Sequence, residues 1–158
     1  MIELTLSDFH KQNYEDNGYC LYVVKNGLDD ILYIGISDAD VWGRWFGWGG
    51  HMMWDGNVIY GESAVGTKIE NNLPDSLSWK IQLWTLNDCV DFLGKSIPPH
   101  NARTVKSIEP LMIRRLSPAL NATYNYNPRK DTTPKSEKEM TLEKRADQAY
   151  DEIFNKKK

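Results

Sequence analysis

Two short β-forming runs joined by a tight polar turn constrain this chain more than any other feature. Tyr19–Val24 reads YCLYVV and Ile31–Ile36 reads ILYIGI, with Lys25-Asn26-Gly27-Leu28-Asp29-Asp30 between them. β-Branched and aromatic residues suit a pleated, half-buried surface, and an Asn-Gly pair takes positive φ at little cost. The pattern predicts an antiparallel hairpin. A third run, WKIQLWTL over residues 79–86, alternates. Trp79, Ile81, Leu83 and Thr85 fall on one face, and Lys80, Gln82, Trp84 and Leu86 on the other. That period of two predicts another strand. The expected core is a small antiparallel sheet of about three strands.

Helical patterns surround it. Asp38 or Asp40 can cap a helix carrying Val41, Trp42, Arg44, Trp45 and Phe46, which Gly47, Gly49 and Gly50 then break. Over residues 102–116, Val105, Ile108, Met112 and Leu116 step by three or four. Pro110 inside that stretch predicts a kink, or a start near Ser107. Shorter helices are expected after Ser7, ending near Asn17-Gly18, and over 87–94 with Asn87 or Asp88 as cap. Residues 49–78, with Gly56, Gly61, Gly66 and Pro74, read as a loop-rich insertion. Beyond Pro128 the composition turns to Lys and Glu. The chain is expected to form an α/β domain of the α+β kind over residues 1–128, followed by a polar C-terminal helix or tail over 129–158.

A net charge of −3 carries no general nucleic-acid signature, so a nucleic-acid ligand would need a local basic face. Cys20 and Cys89 each stand alone in an apolar run, as in a reduced chain rather than a disulfide scaffold. No run of 18 apolar residues offers a membrane span, and Glu3 and Asp8 sit where a signal peptide would be basic and then apolar. A cytoplasmic protein is the expectation.

Five elements then occur in order. Tyr22 closes Cys20-Leu21-Tyr22; Tyr33-Ile34-Gly35 follows in the second run; Arg44 lies nine residues after Gly35; and Glu109 precedes Pro118-Ala119-Leu120-Asn121 by nine residues. This series resembles the GIY-YIG nuclease family over roughly residues 19–125. The second triplet is intact, whereas Cys20 replaces the first family glycine. Some family members carry a lysine or histidine near the second strand or after the arginine. Ile36 follows Gly35 here, and His51, seven residues after Arg44, is the nearest candidate for that auxiliary role. The resemblance implies a magnesium-dependent endonuclease acting on DNA, with Mn²⁺ as a possible substitute. Tyr22 would accept a proton from the attacking water, with Tyr33 as helper. Arg44 would clamp phosphate, Glu109 would hold the metal, and Asn121 would tie the loop after the helix to the site.

The residue types suit that chemistry on their own terms. Phosphodiester hydrolysis needs a nucleophilic water and positive charge on the phosphoryl oxygens. One carboxylate can anchor Mg²⁺ while water and phosphate complete its shell. A guanidinium can bind phosphate bidentately. A tyrosine with an ordinary pKa near ~10 is a poor base unless a cation favours its phenolate. Ser37, Trp48, Arg103, Lys106 and Arg114 are further candidates for touching DNA: a hydroxyl, a stacking ring and a basic margin beside Glu109. Taken one at a time, each has an ordinary explanation, as a strand tyrosine, a solvated arginine or glutamate, or a turn asparagine. Two other function classes follow from those explanations: a catalytically silent nuclease-like binding module, and a protein-interaction domain built on the tryptophan-rich stretch. One metal site implies one nick per visit, so a double-strand break would call for a homodimer or two events.

Overall fold

In a computed structural model, described for residues 1–12, 18–38, 40–56 and 58–154, the hairpin forms with β2 spanning Tyr19–Lys25 and β3 spanning Ile31–Ile36. Its turn is made differently from the Asn-Gly expectation. Positive φ falls on Asp29 (67°). The Asn26 side chain folds the loop instead, its Oδ1 accepting from the backbone N–H of Leu28 and of Asp30, each at 2.9 Å.

The sheet has four strands rather than about three. The order is β1-β6-β2-β3, all antiparallel, with β1 at Ile2–Thr5 and β6 at Lys80–Thr85. A separate two-stranded ribbon pairs β4 (Met52–Asp55) with β5 (Val58–Gly61). β1 is a four-residue edge strand whose Glu3 lies against Gln82, Lys25 and Lys80. Its alternation is too short to stand out from a polar terminus.

Helices cover both faces of the sheet. On one face lie α1 (Leu6–Gln12), α2 (Val41–Phe46) and α3 (Ala64–Asn71); they bury Leu6, Phe9, Val41, Trp45, Val65 and Ile69 against Tyr22, Val24, Ile81 and Leu83. On the other lie α4 (Leu86–Leu93) and α5 (Val105–Leu116), which bury Cys89, Leu93, Ile108, Met112 and Ile113 against Leu21, Val23, Ile34 and Trp84. The side-chain period of two sends alternate residues of β2 and β6 to opposite cores.

Local chemistry accounts for several boundaries. α1 begins at Leu6, earlier than expected, because Thr5 Oγ1 accepts from Asp8 N; its expected end near 17 falls outside the described residues. Of the two candidate caps for α2, Asp40 is the one used, accepting from the N–H of Trp42 and Gly43. α4 is capped by Thr85, with Asp88 completing a reciprocal capping box. α5 is capped by Thr104 and runs through Pro110 from Val105, so neither the start at Ala102 nor the one near Ser107 holds.

Residues 49–78 are more ordered than a loop-rich insertion. Their glycines permit close approach rather than looseness: a Cβ at Gly61 would strike the Gly66 backbone, and one at Gly66 the His51 carbonyl. The C-terminal helix α6 spans Glu137–Phe154 and buries none of its residues. The stretch leading into it is tied down, with Lys68 pairing to Asp131 at 3.1 Å and Glu139 at 2.9 Å and Asn26 donating to Thr133. No helix of the described residues is long and apolar enough to cross a membrane.

Candidate active site

The site begins from sheet register. Tyr22 lies directly opposite Gly35, and Tyr33 opposite Val24, so the two tyrosines are diagonal neighbours on one face. Their rings stack with centroids 6.2 Å apart. Gly35 is required by this arrangement. The Tyr22 ring lies across it, and a Cβ there would collide with Cζ and the hydroxyl of Tyr22.

His51 completes the pair. It stands just before β4, and its backbone N–H donates to the Arg44 carbonyl at 3.2 Å while its own carbonyl accepts from Glu62 N at 2.8 Å. Its ring is fixed at both nitrogens: Nε2 lies 2.5 Å from the Tyr22 hydroxyl, and Nδ1 lies 2.7 Å from Ser63 Oγ. Trp45 packs against both rings, at 4.7 Å from His51 and 5.4 Å from Tyr22. Its indole N–H is buried without a protein acceptor. Tyr22 is 1% exposed and His51 2%.

Burial sets the protonation states. It pushes the Tyr22 phenol well above the ordinary tyrosine range, reinforced by Tyr33 and Glu109 and opposed by the Arg44 guanidinium. Tyr33 moves the same way, again chiefly through burial, with Arg44 opposing. His51 is pushed down to about 4, by burial first and by Arg44 second, so it is neutral at pH 7. A neutral imidazole that donates Nδ1–H to Ser63 presents Nε2 as an acceptor for the phenol. Ser63 is itself fixed, since its Oγ also accepts from Gly66 N as the cap of α3.

Glu109 approaches from the far side. Although α5 packs on the opposite face, Glu109 and Tyr33 line one cleft of about 310 Å³, with Ile113 and residues 121–124. Glu109 is half-buried, enters no ion pair among the described residues, and is pushed upward by burial. An unmatched, partly desolvated carboxylate is a fitting place for a cation. No group of three or more His, Cys, Asp or Glu side chains among the described residues could form an all-protein cage. Glu109 is the carboxylate among the residues lining this cleft that could hold a cation.

Asn121 faces the backbone, not the cleft chemistry. Its Oδ1 accepts from Ile34 N at 2.9 Å and its Nδ2 donates to Ile34 O at 2.8 Å. With Leu120 N bonded to Leu32 O, it covers the free edge of β3 and holds the 121–124 loop beside Glu109.

The remaining candidates divide. Ser37 is engaged in the turn before α2, its hydroxyl bonding the backbone O and N of Asp40. Arg103 precedes α5 rather than sharing it, and Arg114 is directed over the Tyr126 ring at 5.2 Å. Lys106 is exposed one helical turn before Glu109 and is the member of the basic margin beside it on the helix surface. Trp48 is fully exposed on the glycine loop. Sequence reasoning missed Ser63. The signal was present as a serine three residues before Gly66 at the start of a helix, but it was hidden in a segment read as loop.

The sequence matches no family model, and no curated protein or solved structure matches it significantly.

Proposed function

We propose that this protein is a magnesium-dependent DNA endonuclease, with Tyr22 and His51 acting together as the base. The observation that carries the reading is the buried 2.5 Å contact between the Tyr22 hydroxyl and His51 Nε2, beside Arg44 and within the field of Glu109. A buried tyrosine alone would hold its proton too tightly to serve. Joined to a neutral imidazole, the phenol can pass its proton to Nε2 as it takes one from water. Ser63 orients the ring for this by accepting its Nδ1–H. Arg44 supplies positive charge for the phosphate and counters the cost of a transient phenolate. Tyr33, half-buried in the Glu109 cleft, orients the water. Glu109 would hold Mg²⁺, which supplies Lewis-acid stabilisation of the phosphoryl charge when bound.

The five-element series from Tyr22 to Asn121 supports the same reading, as does the α+β core with its hairpin and its glutamate-bearing helix. DNA as the substrate rests on that resemblance. An assay on supercoiled, linear, single-stranded and branched DNA, with Mg²⁺ and with EDTA, tests it. The expected result is Mg²⁺-dependent nicking that Glu109→Ala abolishes while the protein stays folded. DNA binding without cleavage in Mg²⁺ or Mn²⁺ would favour the catalytically silent module instead.

A further inference from the structure

A second cavity, of about 460 Å³, is lined by Phe46, Trp48, Met53, Trp54 and Glu62 together with the backbone of Gly47, Gly49 and Gly50. It shares structure with the reacting groups. Its glycine loop continues directly from the helix that carries Arg44, Gly50 precedes His51, and Glu62 N bonds the His51 carbonyl. Its volume lies within the usual range for small-ligand sites.

The walls differ in a useful way. Trp54 is held rigidly: His10 stacks on it at 3.9 Å with an interplanar angle of 2°, and Phe46 meets it edge-on at 6.1 Å. Trp48 is the opposite, at 103% exposure on a loop whose Gly49 has φ of +71°. Both indoles line the cavity, one exposed and one fixed, so a planar ring entering it can meet either of them. The polar group at the margin is the exposed carboxylate of Glu62, for which no hydrogen bond or ion pair is formed among the described residues.

We propose that this cavity receives one unstacked DNA base, with Trp48 and Trp54 as stacking surfaces and Glu62 as the selector. The inference rests on the nuclease reading for its ligand. Stacking on aromatic side chains accepts any base, and a base already unpaired enters at the least cost. Glu62 then discriminates, because a carboxylate only accepts hydrogen bonds. The Watson–Crick edge of guanine offers it two adjacent donors. Cytosine and adenine offer an amino group. Thymine sets two carbonyl oxygens around its single N–H. The order of preference is guanine, then cytosine and adenine, then thymine. DNA with a bulge, mismatch or single-stranded junction is the class of substrate this favours over perfect duplex.

Equilibrium binding in EDTA, read by fluorescence anisotropy, separates recognition from cleavage. The probes are duplexes with one bulged guanine, one bulged thymine or one bulged abasic site. Because stacking contributes roughly 1–3 kcal/mol per base, the bulged guanine should bind about tenfold or more tighter than the abasic site. Trp48→Ala should lower that ratio several-fold, Trp54 and Glu62 keeping the remainder, and Glu62→Gln should remove the guanine-over-thymine difference. Both side chains are exposed, so neither change disturbs the core. Equal binding of all three probes by the parent protein overturns the proposal. So does an unchanged guanine-to-abasic ratio in Trp48→Ala. If the parent nicks plasmid yet shows no base dependence, the base receptor fails and the nuclease reading stands; if it neither binds nor cuts any DNA, both fail.

Discussion

The two faces of the β2–β3 hairpin come from the same few residues and are put to different uses. Leu21, Val23 and Ile34 face a core closed by α4 and α5 that is built almost wholly of aliphatic groups. Tyr22 and Tyr33, one step along the same strands, face His51, Trp45 and the field of Arg44. Both faces are buried, yet one contributes packing and the other places polar atoms where burial shifts their proton affinity. A buried polar group is costly unless it is bonded, and here the phenol, the imidazole and the serine hydroxyl satisfy one another. The lesson is that strand period sorts the hairpin's side chains between an aliphatic core and a polar cluster, which His51 and Ser63 then complete from outside the hairpin.

Substitutions can break this division, and the largest effects belong to the polar face. Glu109→Ala should lower cleavage by at least about a thousandfold with thermal unfolding little changed. Tyr22→Phe should cost about 10²–10⁴ in cleavage rate with DNA binding retained. It also leaves His51 Nε2 unpaired, which should cost about 1–3 kcal/mol of stability. Undiminished turnover in Tyr22→Phe would move the base role to Tyr33 or to His51 alone. On the aliphatic face the balance reverses. Ile34→Ala or Leu21→Ala should lose about 2–5 kcal/mol in denaturant unfolding while the rate per folded molecule stays near that of the parent. A Leu21→Ala protein that folded well but no longer cut would show that the two faces are coupled. Gly35→Ala joins the faces, since its new methyl meets the Tyr22 ring. It should cost about 1–3 kcal/mol by overpacking and reduce activity together with stability.

A pH dependence of stability completes the series. His51 binds a proton near pH 4 when folded and near ~6.5 when unfolded. Between those values the unfolded state holds more protons, so stability falls as pH drops through that window, by up to about 3 kcal/mol. His51→Gln should remove this slope from a comparison of denaturant midpoints at pH 7 and pH 4.5. Glu109 has the opposite sign: its raised folded pKa makes its contribution decline as pH rises through the carboxylate range. An unaltered slope in His51→Gln would mean that the imidazole is not held neutral by its surroundings.

Much of this was legible in the residues. The hairpin, Asp40 as one of two candidate caps, the alternation of residues 79–86 and the helix bearing Glu109 all follow from local preferences that tertiary packing did not oppose. What escaped depends on contacts distant in sequence. β1 is a strand only because β6 offers it an edge. Gly61 and Gly66 look like loop punctuation until α3 is pressed against β5. His51 was one candidate near Arg44, but its bond to Tyr22, 29 positions away, and its anchoring by Ser63 depend on the ribbon β4–β5 folding back over the hairpin. The resemblance offered Asn121 as a residue tying the loop after the helix to the site. That it works by imitating a neighbouring strand at Ile34 was not legible.

The most direct measurement is nicking of supercoiled plasmid by the parent protein and by Tyr22→Phe, side by side, in Mg²⁺ and in EDTA. The expected result is relaxed plasmid with the parent in Mg²⁺ alone, and none with the folded, DNA-binding Tyr22→Phe. A folded parent protein that leaves the plasmid supercoiled in both Mg²⁺ and Mn²⁺ would contradict it.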